Sequence, residues 1–203
     1  MIKMSSSNAK IYHQNSKPLG ISYAEWSARW WQWLLTIPKC CSPAIDLSGK
    51  YATIGQSNSN VLFLCQTIEN AKRMPRRKIR IRKGTCIFLP IINWVSNFYE
   101  HGKSDKELIK TANTKMDVIG NLEFFLNGVS VTGLDKYRYL SKFFTVDLPE
   151  DNILDLPAGK TSLVSDGYWV FTKPITANTG ISTYGSCSSR LTKIGVYYDI
   201  KAI

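Results

Sequence analysis

The spacing of hydrophobic residues changes shortly before residue 40. From Tyr23 to Ile37 it is helical: Tyr23, Trp26, Trp30, Trp33, Leu34 and Ile37 crowd one side, with Trp31 and Leu35 beside them. Glu25, Arg29, Gln32 and Thr36 form one narrow polar stripe opposite. Ser22 is placed to cap a helix over residues 22–37, Glu25 to complete a capping box, Ile21 to staple against Trp26, and Pro38 to end it. Only one stripe can face water, so this helix is expected to lie across a large apolar surface. A membrane-surface helix would carry Lys and Arg on its polar face, whereas this one carries a Glu25 and Arg29 pair at i, i+4.

Beyond the helix the period shortens to that of strands. The segments 61–67, 78–84, 86–94, 122–131, 137–146, 167–175 and 193–202 are short, rich in β-branched and aromatic residues, and bounded by turn residues. Asn127-Gly128 predicts a hairpin turn. In the last segment Ile194, Val196, Tyr198 and Ile200 alternate with Gly195, Tyr197, Asp199 and Lys201, as in a strand with one buried face. A second, short helix is predicted from Asp105 to about Met116, capped by Ser104 with Glu107 at its third position. Seven strands without strand-helix alternation predict a mainly β fold: an antiparallel two-sheet sandwich, jelly-roll-like, with the tryptophan-rich helix packed on it. Residues 1–20 read as a flexible arm, and 21–203 as a single domain.

Composition narrows the class. With 203 residues, 44% hydrophobic and 20% charged, the chain can bury one sizeable core. No apolar run reaches the roughly 18 residues of a membrane span, and the N-terminal segment lacks the apolar core of a signal peptide, so a soluble, cytoplasmic protein without membrane insertion is expected. Cys40, Cys41, Cys65, Cys86 and Cys187 include no CxxC pair. Their spacing supports neither a disulfide framework nor a metal site, and no cofactor is implied; Cys40 and Cys41 could recruit only His13 or His101.

Charge is distributed unevenly. Eight of the twelve residues from 72 to 83 are basic, against a formal net charge of +11 for the whole chain: Lys72, Arg73, Arg76, Arg77, Lys78, Arg80, Arg82 and Lys83. In a strand beginning at Lys78, Ile79 and Ile81 would face the core, and Lys78, Arg80 and Arg82 would form an outward ladder with Arg76 and Arg77 at its mouth. That strip is a candidate site for nucleic acid or another polyanion, or equally a solvated edge that discourages strand pairing. No aromatic residue interleaves it, so base recognition is not expected. A second candidate is an aromatic pocket edged by Trp26, Trp30, Trp33 and Arg29.

Among the carboxylates, Asp46, Glu100, Asp117, Asp151, Asp155 and Asp166 are candidates for acid-base work. Asp46 in "DLSG" and Asp166 in "SDGY" also have the ordinary use of capping turns. The chain has no GxSxG, HExxH, GxGxxG or P-loop pattern. A hydrolase built on Asp46 or Asp166 is thus the third reading, behind a non-catalytic binding or structural protein and a polyanion binder. Outward-facing aromatics such as Tyr137 with Tyr139, or Tyr197 with Tyr168, would suit a sugar or other small ligand.

The stretches "YAEWSARWWQWLLTIP" (23–38), "SPAIDLSG" (42–49), "GQ" (55–56) before "VLFL" (61–64), "KGTCIFLPIINW" (83–94), "YRYLSKFF" (137–144) and "DGYWVFTKPI" (166–175) resemble a widespread family of bacterial and archaeal proteins, many of them exported. The resemblance implies a β-sandwich and no activity or catalytic residue. Relatives commonly carry a cysteine before the Gly-Gln and another before the FxP strand, where this chain reads "YATIGQ" and "KIRIRKG"; their Pro-Gly-x-His turn is replaced by "TANTG" (176–180).

Overall fold

The computed structural model describes residues 10–56, 60–67, 74–187 and 193–203. The tryptophan segment forms α1 (Tyr23–Leu35). Ser22 Oγ accepts the Glu25 N–H (3.2 Å), but the Glu25 carboxylate turns to Arg29 (2.6 Å) instead of closing a capping box. Three of its indoles fasten the helix to three separate segments. Trp26 Nε1 donates to the Pro18 carbonyl (3.0 Å), Trp30 Nε1 to Leu64 (2.8 Å) and Trp33 Nε1 to Ile54 (2.8 Å). Buried indole N–H groups need acceptors, and loop carbonyls lacking ladder partners need donors, so each bond resolves two liabilities at once.

The strands form two five-stranded sheets. In the first, β1 (Val61–Phe63) lies beside β3 (Cys86–Asn97), which pairs with β8 (Gly159–Phe171); both β6 (Arg138–Leu140) and β7 (Phe144–Leu148) pair with β8. The second runs in the order β2 (Arg76–Ile81), β10 (Lys193–Ala202), β9 (Thr179–Cys187), β4 (Ile119–Leu126) and β5 (Val129–Ser130). The expectation of wholly antiparallel sheets is corrected at two places, because β1 runs parallel to β3 and β2 parallel to β10. Both parallel partners are reached by long connections, as parallel pairing requires.

Asn127 and Gly128, with φ of 52° and 75°, make the hairpin turn between β4 and β5. α2 (Asp105–Asp117) carries both halves of its capping box and packs on β3 and β8, as α1 packs on β3, β6, β7 and β8. Of the flexible arm expected over residues 1–20, residues 1–9 lie outside the described residues, and residues 10–12 are held against the end of β8. Ile11 bridges Thr172 and is buried, and the Tyr12 N–H donates to the Phe171 carbonyl (2.8 Å). No helix among the described residues is long and apolar enough to cross a membrane.

The two sheets approach closely where β9 faces β3. A Cβ at Gly185 would stand 2.8 Å from the Ile91 carbonyl oxygen and 2.9 Å from Ile92 Cβ, a contact that only glycine permits. Beside it, β3 shifts register between Pro90 and Ile92. Proline brings no N–H to the ladder, which is why strands bulge at such positions. The Gln66 amide donates to the Ile91 carbonyl freed there and to Thr183 Oγ1 (2.7 Å) on β9, tying the sheets together.

Candidate functional site

The β3 bulge and the near end of α2 enclose, with α1, a cavity of about 880 Å³. Trp30, Trp31 and Leu34 line it from α1, Pro90, Ile92 to Val95 and Asn97 from β3, Thr114 to Met116 from α2, and Ile194 reaches it from β10. The walls are mostly apolar, with a few polar groups among them. Trp31 is 7% exposed, and its Nε1 hydrogen-bonds to no described protein group. The buried Asn93 Nδ2 and Trp94 Nε1 are likewise unpartnered. Trp31 brings its donor from α1, and Asn93 and Trp94 bring theirs from β3; an acceptor-bearing ligand in the cavity would relieve such groups, since a buried donor without a partner costs about 1–3 kcal/mol.

Charge enters from one end. The Lys115 ammonium lies 4.7 Å from the Trp94 ring centroid, and the His101 ring meets Trp94 edge-on with centroids 5.5 Å apart. His101 Nδ1 accepts the Asn97 N–H (3.3 Å), so the neutral ring carries its proton on Nε2. Burial, aided by Lys115 and opposed by Glu100, lowers the His101 pKa from its ordinary 6.5, so the neutral form is favoured. The arrangement offers hydrogen bonds and one cation to a flat apolar ligand.

The expected aromatic pocket is rearranged. Trp30 lines the cavity, but its companion there is Trp31, whereas Trp26 and Trp33 are buried with their N–H groups committed to loops. Arg29 pairs with Glu25, and its guanidinium lies 5.4 Å from the Trp26 ring centroid. Sequence periodicity treats Trp31 as one more buried ring; the signals for the cavity are Pro90 inside a strand and the polar pair Asn93 and Trp94 closing an apolar run.

The basic strip is corrected at one position. β2 starts at Arg76 instead of Lys78, so the alternation sends Arg76, Lys78 and Arg80 outward and Arg77, Ile79 and Ile81 inward. Arg77 is completely buried. Its Nε donates to the Asp46 carbonyl (2.8 Å), and Nη1 donates to the Cys65 carbonyl and the Tyr198 hydroxyl (both 2.6 Å). Cys65 is buried beside it; burial, opposed by Arg77, pushes its thiol up to about 11. Arg82 and Lys83 follow β2 as exposed residues, Arg82 donating to Asn60 Oδ1 (3.2 Å); Lys72 and Arg73 lie outside the described residues.

Asp46 and Asp166 are both engaged structurally. Asp46 accepts from the Ser48 N–H (2.8 Å), Ser48 Oγ (2.7 Å) and the Tyr51 N–H (2.8 Å); burial would push its carboxyl up, but these bonds outweigh it and hold it below the usual range. Asp166 is buried and receives Arg138 Nε (2.9 Å) and Nη2 (2.6 Å). Tyr137 is buried and Tyr139 stacks on Tyr23 at 4.6 Å, while Tyr168 and Tyr197 stand in different sheets, so neither pair makes a sugar platform. Among the described residues no group of three or more His, Cys, Asp or Glu could hold a metal ion. No protein-family model, curated protein or solved structure matches the chain.

Proposed function

We propose that this chain is a non-catalytic binding protein that holds a small, largely apolar ligand carrying a hydrogen-bond acceptor in the cavity between α1, β3 and α2. The observation that carries the reading is that the buried N–H donors of Trp31, Asn93 and Trp94, on residues lining the cavity from α1 and β3, have no partner among the described residues. A planar body would lie among the indoles, and a carbonyl, carboxylate or sulfonate would take the donors, with Lys115 supplying charge. In the same reading the sheets are the layers of a sandwich. The approach of Gly185 to Ile91 and the Gln66 bridge support that; the antiparallel ladders β3 to β8 and β10 to β9 to β4 are the part compatible with a jelly roll.

The test is titration with 1-anilinonaphthalene-8-sulfonate, an aromatic probe with one anionic acceptor, followed by fluorescence and by the melting temperature. One saturable site that raises the melting temperature is expected, lost when Ile92→Trp fills the cavity. Several weak sites, or binding indifferent to Ile92→Trp in a folded variant, would overturn the reading.

A further inference from the structure

The register of the second sheet places side chains together that are far apart in the sequence. On its outer face Arg76 of β2 lies opposite Tyr197 of β10, which lies opposite Ser182 of β9, which lies opposite Phe125 of β4. One step along, Lys78 faces Asp199, and beyond it Arg80 faces Lys201; one step the other way, Gly195 faces Tyr184, which faces Glu123. Arg76, Lys78, Arg80 and Lys201 are exposed, and Tyr197, Tyr184 and Phe125 are half-buried. We propose that this face binds single-stranded nucleic acid, with the β2 ladder on the phosphates and the rings of Tyr197, Tyr184 and Phe125 under the bases.

Charge, stacking surface and access support it. Alternate residues of a strand are about 6.6 Å apart, a step that matches successive phosphates of an extended chain, so Arg76, Lys78 and Arg80 can each meet one. The Arg76 guanidinium lies 4.6 Å from the Tyr197 ring centroid, joining the ladder to the aromatic row. The residues between the rings are small: Ser182, Gly180 and Gly195. A Cβ at Gly180 would stand 2.8 Å from the Tyr197 hydroxyl, so the Tyr197 side chain reaches across that position.

Four cations face two carboxylates, Asp199, which is 3.9 Å from Arg76, and Glu123, which is bonded to Asn121 (2.7 Å). Both helices pack on the other sheet. Unpaired bases have free faces to stack, which a duplex has already used, so the aromatic row selects single strands. The cavity lies on the opposite side: Ile194 reaches it, whereas Tyr197 points outward on the same strand.

The experiment is fluorescence anisotropy with labelled dT12 and rU12, a 12-bp duplex and heparin, from 50 to 300 mM salt. It uses the full chain, a triple variant Arg76→Gln, Lys78→Gln, Arg80→Gln and a variant Tyr197→Ser, Tyr184→Ser, with melting curves confirming the fold. The single strands should bind more tightly than the duplex. A log-log salt slope of about −2 is expected from three phosphate contacts at roughly −0.7 each on a single strand. The triple variant should flatten that slope. The tyrosine variant should weaken binding at least about fivefold per ring and leave the slope in place. Absence of single-strand binding, equal binding of duplex and heparin, or indifference to the tyrosine variant in a folded protein would each overturn the proposal. None of these outcomes bears on the sulfonate probe in the cavity, so the two readings stand or fall separately.

Discussion

Arg77 donates to the Tyr198 hydroxyl at 2.6 Å in the interior, where it forms no ion pair among the described residues. Its charge is held by two carbonyls and a phenol, and its Nη2 has no partner among the described residues. An incompletely compensated buried charge gains little over an apolar side chain of the same volume. Truncating it is another matter. Arg77→Ala should destabilise by about 3–5 kcal/mol, and Arg77→Met, which refills the space, by less than about 2 kcal/mol. Urea unfolding of the two variants separates the cases; equal losses would mean that the hydrogen bonds dominate over the volume.

Trp30 and Trp31 are neighbours with opposite duties. Trp30→Phe leaves the buried Leu64 carbonyl without its donor and should cost about 1–3 kcal/mol more than Trp31→Phe, which breaks no hydrogen bond to the described protein. The order should reverse for the sulfonate probe, with Trp31→Phe weakening its binding more. Chemical unfolding and probe titration on the same two proteins check both halves.

Gly185→Ala inserts a Cβ 2.8 Å from the Ile91 carbonyl oxygen, where β3 and β9 have no slack. A cost of about 1–3 kcal/mol is expected from overpacking. Because the displaced carbonyl belongs to the bulge beside the cavity, probe affinity should fall as well. A variant as stable as the parent would show that the sheets can separate locally.

His101 gives a pH dependence. Its folded pKa lies below the ordinary 6.5, so between the two values the unfolded chain binds more protons and the folded state loses stability as pH falls. Stability from this group is complete above pH 6.5 and declines below it; His101→Gln should remove that part of the slope. Unfolding free energies at a series of pH values between 5 and 8 measure it.

Much of the architecture is legible in residue spacing. α1, α2 and its capping box, the Asn127-Gly128 turn and the inward face of β10 follow from local pattern, because each is set by contacts within a few residues. β9 does not show itself. Gly180, Ser182, Gly185 and Ser186 give it the composition of a loop, and it is a central strand because Gly185 must fit against β3 and Gly180 under Tyr197. Ile79 and Ile81 fix the register of β2 in the sequence; the burial of Arg77 follows from the strand beginning at Arg76, two residues before Lys78, a start that local pattern does not mark in a run of basic residues. The cavity depends on a bulge and on a helix brought from another part of the chain, and the outer aromatic row depends on pairing between β10, β9 and β4. Those are long-range facts.

The parallel pairing of β2 with β10 has a consequence for synthesis. β2 emerges early from the ribosome, but its ladder partner Tyr197 to Ala202 follows only after β9. Until then Ile79, Ile81 and the Arg77 side chain lack the strand that helps to enclose them, and β9 lacks one of its neighbours. The second sheet is therefore closed after translation has passed β10, late and by long-range contact, the kind of step that slows folding and leaves the nascent chain dependent on protection. In that interval the repelling Arg76, Lys78 and Arg80 serve as gatekeepers against misassembly between copies on one polysome.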